Sequence, residues 1–285
     1  MNSKSGKNTY MGNEDRRTEH PGLTGAHHGI RFAGMWNRVV EEFHYVTSED
    51  WTLDAVGCHW DAVTYYDDIN ANTYAYFRRF TDGLKYCTIP DQSYVLDLCC
   101  RTGNGTGFFW RNNKVKKAVC ADVSPRMLKL ASDYLSRLGV VHRTVLLRDY
   151  RLPLPDNEFD AVICFETIEH ISRPGVFLKE LSRVTKPGGE LLLTTPRILW
   201  GPIHWIAAIT GLHHSEGPHS FLSKPRLYNL LRQAGFAIET CAPRVLIPAG
   251  PGPLVRLGER LERRSPRLSG IFALRNIVIC RKQTA

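Results

Sequence analysis

Asp97, Asp122 and Asp149 stand in or just after three successive apolar runs, and the glycine-rich turn Gly103-Asn104-Gly105-Thr106-Gly107 follows the first. An aspartate inside an apolar run needs a hydrogen-bonding role, because an unpaired buried carboxylate is costly. In VLDLCCRTGNGTG, Val95, Leu96 and Leu98 suit a strand covered on both faces, while Gly103, Gly105 and Gly107 permit positive φ and close approach of the backbone to a ligand. Asp122 lies 19 residues after Gly103, a spacing that sets a carboxylate at the end of the neighbouring strand, where it can accept both hydroxyls of a ribose. Taken alone, Asp122 could equally cap the helix at Ser124. Asp149 ends the third run and suits an adenine amino group, or a turn. Together the three acids describe a pocket for an adenosine-containing ligand.

The elements that must position them follow from periodicity. Strands are expected at 94–99, 117–122, 143–148, 159–165, 189–195, 236–242 and 273–281. Between them, Ser124 and Pro125 open a helix whose stripe is Met127, Leu128, Ala131, Leu135 and Leu138 and which Gly139 closes; another runs from Ser223 to Gly235. Strands separated by helices require crossovers. The expected fold is therefore α/β, a Rossmann-like doubly wound, seven-stranded, mostly parallel sheet. Phe32, Met35, Trp36, Val39, Val40 and Phe43 fall on one helical face, so residues 30–90 read as a helical N-terminal cap over part of the pocket. Residues 1–29 lack an apolar stretch and read as a disordered tail, and 91–285 as the main domain, with an apolar insertion at 197–220 and a Pro/Gly-rich, then basic, one at 246–272. Eight cysteines without a CxxC pair read as reduced core residues, not as a disulfide frame or zinc site. No stretch reaches the roughly 18–20 apolar residues of a membrane span. The net charge of +9 suits a solvated basic surface in a cytoplasmic protein, with attraction to anionic membrane or nucleic acid as alternatives.

VLDLCCRTGNGTG, ADVSPRML, RDYRLPLPDNEFDAVICFETIEHI and KELSRVTKPGGELLLTTP, taken in order with the later SFLSKPRLYNLLRQAGF, resemble the class I S-adenosylmethionine-dependent methyltransferases of the type 11 small-molecule group, over about residues 94–242. The resemblance implies that Asp97 and Gly103 hold the methionine portion of S-adenosyl-L-methionine, Asp122 the ribose, and Asp149 with Tyr150 the adenine. It also implies that Cys99, Arg101, Val123, Met127 and Phe165 belong to the cofactor-binding set, and that the last strand, Ala273 to Arg281, is antiparallel. One departure matters. Cys99 and Arg101 stand where the family has small residues, usually glycine, so Arg101 must turn outward, toward the cofactor carboxylate for instance, or impair binding.

Methyl transfer from a sulfonium is an in-line displacement; the protein aligns the acceptor, excludes water and, for a hydroxyl, removes a proton. The candidates are Glu166 and His170, with His219 from the cluster His213, His214 and His219. Glu166, Glu169 and His170 match a set that holds a divalent metal in some relatives, although helix-start carboxylates beside a packed histidine are the plainer account. Tyr65 and Tyr66 fall where related enzymes bring an aromatic residue over the cofactor. The aromatic cap and apolar insertion point to a hydrophobic or aromatic acceptor, a lipid or quinone among them, and to O-methylation. The insertion beside the basic segment could instead rest on a membrane. The alternatives are a nucleic-acid methyltransferase, disfavoured because no RNA-binding module or NPPY-like motif is present, and a non-catalytic cofactor-binding domain, supported by Arg101 alone. Oligomeric state is left open.

Overall fold

The computed structural model describes residues 32–47, 51–62, 74–210 and 217–284. The expected tail, Tyr65, Tyr66, His213 and His214 lie outside the described residues. Seven strands form one sheet: β1 (Ser93–Leu98), β2 (Val115–Asp122), β3 (Val141–Leu146), β4 (Phe159–Phe165), β5 (Thr185–Pro196), β6 (Phe236–Arg244) and β7 (Arg275–Lys282). Their order is β3-β2-β1-β4-β5-β7-β6. Strands β1 to β5 are parallel, and β7 runs antiparallel to both β5 and β6. From β1 the chain builds outward through β2 and β3, then returns to β4 on the other side, so a crevice opens at the C-terminal ends of β1 and β4, where strand order reverses.

Alternate residues of the central strands feed two cores. Leu96, Leu98, Val162 and Cys164 pack with Phe177 and Leu181 of α6 (Pro174–Val184) and with Leu227 and Leu231 of α8 (Lys224–Gln233). Val95, Ala161 and Ile163 face the other way, onto α3 (Tyr74–Tyr86), α4 (Asn104–Arg111) and α5 (Pro125–Leu138) through Phe80, Phe109 and Leu135. Both faces of the sheet are thus buried, which is why these strands are almost continuously apolar. The expected ends of α5 are met: the Ser124 side chain accepts from Met127 N at 3.0 Å, and Gly139 turns left-handed at φ 77°. All eight cysteines are free thiols.

The segments before β1 and within the insertions decide what covers the crevice. Helix α2 (Leu53–Ala62) rests on the turn after β2, where a Cβ on Gly57 would lie 2.9 Å from the Val123 carbonyl oxygen. Only glycine allows that approach. Helix α1 (Phe32–Thr47) has the expected helical form, but Trp36, Val40 and Phe43 of its stripe are exposed rather than buried, because α1 packs on α7 (Gly201–Thr210) and not on the sheet. The 246–272 insertion contains two helices, α9 (Gly252–Arg264) and α10 (Pro266–Phe272), so β7 begins at Arg275 and not Ala273. No helix among the described residues is long and apolar enough to cross a membrane.

Candidate cofactor and acceptor site

Asp97 is 2% exposed at the end of β1 and accepts the Thr106 backbone N–H at 3.0 Å and its hydroxyl at 2.6 Å. Both bonds fall on Oδ2, which leaves Oδ1 for a ligand cation. Burial pushes the carboxyl up to about 7, against the lowering by the Thr106 bonds. Gly105 belongs to the same construction, since a Cβ there would meet Asp97 Oδ2 and the Phe165 ring at 3.2 Å. Asp122, also buried, accepts from Arg101 N at 2.8 Å on Oδ2 and from Ser124 N at 3.0 Å on Oδ1. Burial raises it as well. A carboxylate offers about four acceptor sites, so these two bonds leave capacity for ribose hydroxyls.

The turn between these acids carries side chains where backbone freedom is needed: Cys99 has φ 54° and Arg101 φ 51°. Arg101 does not turn outward. Its guanidinium donates to the Glu166 carbonyl at 3.2 Å and lies 4.9 Å from the Trp60 ring centre. That position divides the crevice in two. One cavity of about 30 Å³ is lined by Leu53, Val56 and Trp60 of α2 and by Asp122, Val123 and Met127. The other, of about 20 Å³, is lined by Asp97, Gly105 and Phe165 and by Tyr76 and Phe80 of α3. Cys99 and Arg101 border both. Each holds about one water, whereas small-molecule sites span roughly 300–1,000 Å³. The acceptors suit a nucleoside carrying cationic groups, and the Arg101 side chain borders both cavities.

Asp149 is exposed, accepts from Tyr150 N at 2.6 Å, and lines neither cavity. Tyr150 instead shares a 2.8 Å hydrogen bond with Ser172, whose hydroxyl donates to the Trp51 carbonyl at the start of α2. Asp149 and Tyr150, expected to hold the adenine, thus lie outside the lining of both cavities.

The residues after β4 do not converge on a metal. Glu166 carboxylate oxygens lie 3.1 Å from Arg79 and 2.8 Å from Arg275, both buried. Glu169 accepts from the Thr195 hydroxyl at 3.3 Å, and His170 Nδ1 lies 3.0 Å from the Pro218 carbonyl. Among the described residues no group of three or more His, Cys, Asp or Glu could hold a metal ion. Of the three, Glu166 faces two arginines, while Glu169 and His170 contact Thr195 and Pro218. His170 and His219 do meet, with ring centres 6.3 Å apart. His219 Nδ1 donates to the Gly217 carbonyl at 2.8 Å, which leaves Nε2 as its basic nitrogen. His170 borders the larger crevice cavity, whereas His219 borders a separate chamber of about 550 Å³ walled by Phe43, Ile198, Pro202, Trp205 and Phe221.

Residues 96–193 match the family model described as a methyltransferase domain. That segment, about a third of the chain, is similar to S-adenosylmethionine-dependent methyltransferase domains. Over 110 residues it is 34% identical to the ubiquinone/menaquinone biosynthesis C-methyltransferase UbiE of Chromobacterium violaceum, covering 38% of this chain and 45% of that enzyme. Over 102 residues it is 35% identical to the enzyme of the same name from Escherichia fergusonii, covering 35% and 41%. The chain thus spans less than half the length of these relatives. Among solved structures, the cyclase SpnF superposes with TM-score 0.61 at 19% identity, over 82% of this chain and 97% of that one. An S-adenosylmethionine-dependent methyltransferase from Aquifex aeolicus does so with TM-score 0.52 at 18% identity, over 76% and 97%. These two likenesses carry the fold alone, and a fold hosts many reactions.

Within the matched segment, the spacing of acids and glycines signals Asp97, Asp122 and Gly103. It gives no sign of Arg79, Arg275 or Trp60, whose roles come from elements far away in the chain. The ionisation of Asp97 makes a testable difference. A cationic ligand binds the carboxylate form, so with a carboxyl near 7 affinity for S-adenosylmethionine is expected to fall about tenfold from pH 8 to pH 6 by calorimetry, and a flat profile would refute the role. The ligand-free fold shows the opposite trend. Asp97 binds its proton more tightly folded than at its ordinary 3.8, so its contribution to stability is full below that value and is lost as pH rises through about 7.

Proposed function

We propose that the protein transfers the methyl group of S-adenosylmethionine to a hydroxylated hydrophobic or aromatic small molecule held in the chamber beside His219. The observation that carries this reading is that His170, which borders the cofactor crevice, lies beside His219, which borders an apolar space of ligand size, with ring centres 6.3 Å apart. S-adenosylmethionine supplies an electrophilic methyl group. Asp97 and Asp122 would hold its charged and ribose portions, with Val123 and Met127 packing beside the nucleoside. Trp205, Pro202 and Phe221 orient an apolar ring and exclude water, and Nε2 of His219, or of His170, takes the acceptor hydroxyl proton.

Loss of that proton activates a phenolic oxygen for O-methylation and also the neighbouring ring carbon. The similarity to the UbiE C-methyltransferases favours attack by carbon. Incubation with methyl-labelled S-adenosylmethionine and a series of phenols and hydroquinones with and without prenyl tails tests the reading, and NMR of the product separates the two outcomes. Absence of both cofactor binding and label transfer would sink it. His219→Ala is expected to lower kcat by about 10²–10⁴-fold with unchanged cofactor affinity. An equal loss in both quantities would make the residue merely structural.

A further inference from the structure

Three surface elements expose large apolar side chains. Trp36 and Phe43 of α1 are 71% and 63% exposed; Ile198 and Leu199, in the turn before α7, 54% and 56%; Ile271 and Phe272 of α10, 52% and 58%. Hydrogen bonds join the elements into one surface. Arg38 Nε donates to the Ile209 carbonyl at 3.0 Å, tying α1 to α7, and Trp200 Nε1 donates to the Phe272 carbonyl at 3.0 Å, tying the 198–200 turn to α10. Helix α9 continues the surface, with exposed Leu254 and Leu257. A soluble monomer rarely leaves so wide an apolar area open without a partner.

The exposed charges of α9 are of one sign. Arg256, Arg260, Arg263 and Arg264 of α9 are mostly exposed, and none of the four forms an ion pair with a described residue. The acidic residues of the same helix face inward instead: Glu262 and Glu259 approach Arg78 of α3 at 2.9 and 3.7 Å. A helix that turns its acids to the protein and its leucines and arginines outward matches the boundary between lipid headgroups and acyl chains. A two-fold contact with a second copy would set arginine rows near each other without acids to neutralise them. A nucleic acid would meet the arginines but has no use for Trp36, Phe43 or Phe272.

We infer that this face docks on an anionic lipid bilayer, with the apolar side chains of α1, the 198–200 turn and α10 entering the acyl boundary and the α9 arginines meeting headgroup phosphates. Phe43 and Ile198 belong both to this face and to the wall of the chamber. The chamber therefore opens toward the bilayer, and its occupant enters from the lipid phase. This entry route rests on the proposed function; the docking does not.

Flotation of the purified full chain with vesicles tests the docking without any methyl transfer. The chain is expected to float with vesicles of equal parts phosphatidylcholine and phosphatidylglycerol, and much less with phosphatidylcholine alone. Ile271→Asp with Phe272→Asp is expected to weaken partition about tenfold or more with an unchanged melting temperature, because both side chains are exposed. Arg256→Gln with Arg260→Gln is expected to reduce the salt dependence of binding. Absence of flotation on the anionic vesicles at low salt overturns the inference, as does undiminished partition of the Ile271/Phe272 variant. A concentration-dependent dimer without vesicle binding overturns it in favour of a second copy. For the entry route, vesicle-embedded acceptor should be methylated faster than the same acceptor in detergent; equal rates with intact flotation overturn that part alone.

Discussion

Arg101→Gly should bind S-adenosylmethionine about ten- to hundredfold more tightly than the native chain. Arg101 holds φ 51°, a region that costs a non-glycine residue about 1–2 kcal/mol. Its guanidinium also parts the two small cavities bounded by Asp97 and Asp122. Before a nucleoside can reach both acids, the side chain has to leave the Glu166 carbonyl and the Trp60 ring. Those contacts are worth about 1–3 kcal/mol together, which ligand binding must offset. Glycine removes both the strain and the obstruction. Calorimetry on the two proteins decides the matter, and weaker binding by the variant would mean that the guanidinium swings to pair with the cofactor carboxylate and contributes to affinity. Binding by neither protein would leave the domain without its cofactor.

The second large effect is on stability. Glu166→Gln removes the carboxylate that pairs with both Arg79 and Arg275, which are 5% and 2% exposed. Desolvation already brings Arg275 down to about 10, with Glu166 opposing that fall. Breaking a buried pair by removing one partner costs about 3–5 kcal/mol, since the remaining charge stays buried without compensation. The expected result is a melting temperature lower by many degrees, measured by calorimetric scanning at pH 7. Arg275→Met with Glu166→Gln should recover part of the loss, because fewer charges then remain to be neutralised. An unchanged melting temperature would mean that water reaches the pair.

Much of the fold was legible in the chain. Seven apolar runs separated by capped helical stripes specify a wound sheet, because a parallel strand pair needs a crossover and strand and helix periods differ. The boundaries moved where the signal was local and weak: β5 begins at Thr185 because a short irregular pairing with Phe159 precedes the regular register. The apolar stripe of α1 was legible as one face of a helix, but not that Trp36, Val40 and Phe43 on it would be exposed. Periodicity tells which residues share a face, and only the neighbouring element decides whether that face meets protein or solvent.

Asp97, Asp122 and the glycine turn were determined by the sequence itself, since their places follow from short spacings along strands and turns whose backbone geometry is nearly invariant. The tertiary structure alone decided the fate of Arg101, the capture of Glu166 by Arg79 and Arg275, the meeting of His170 with His219, and the place of Asp149 outside the lining of both cavities. Each depends on which distant segment packs against which, and on the rotamer that packing selects, and neither quantity has a period that a sequence can display.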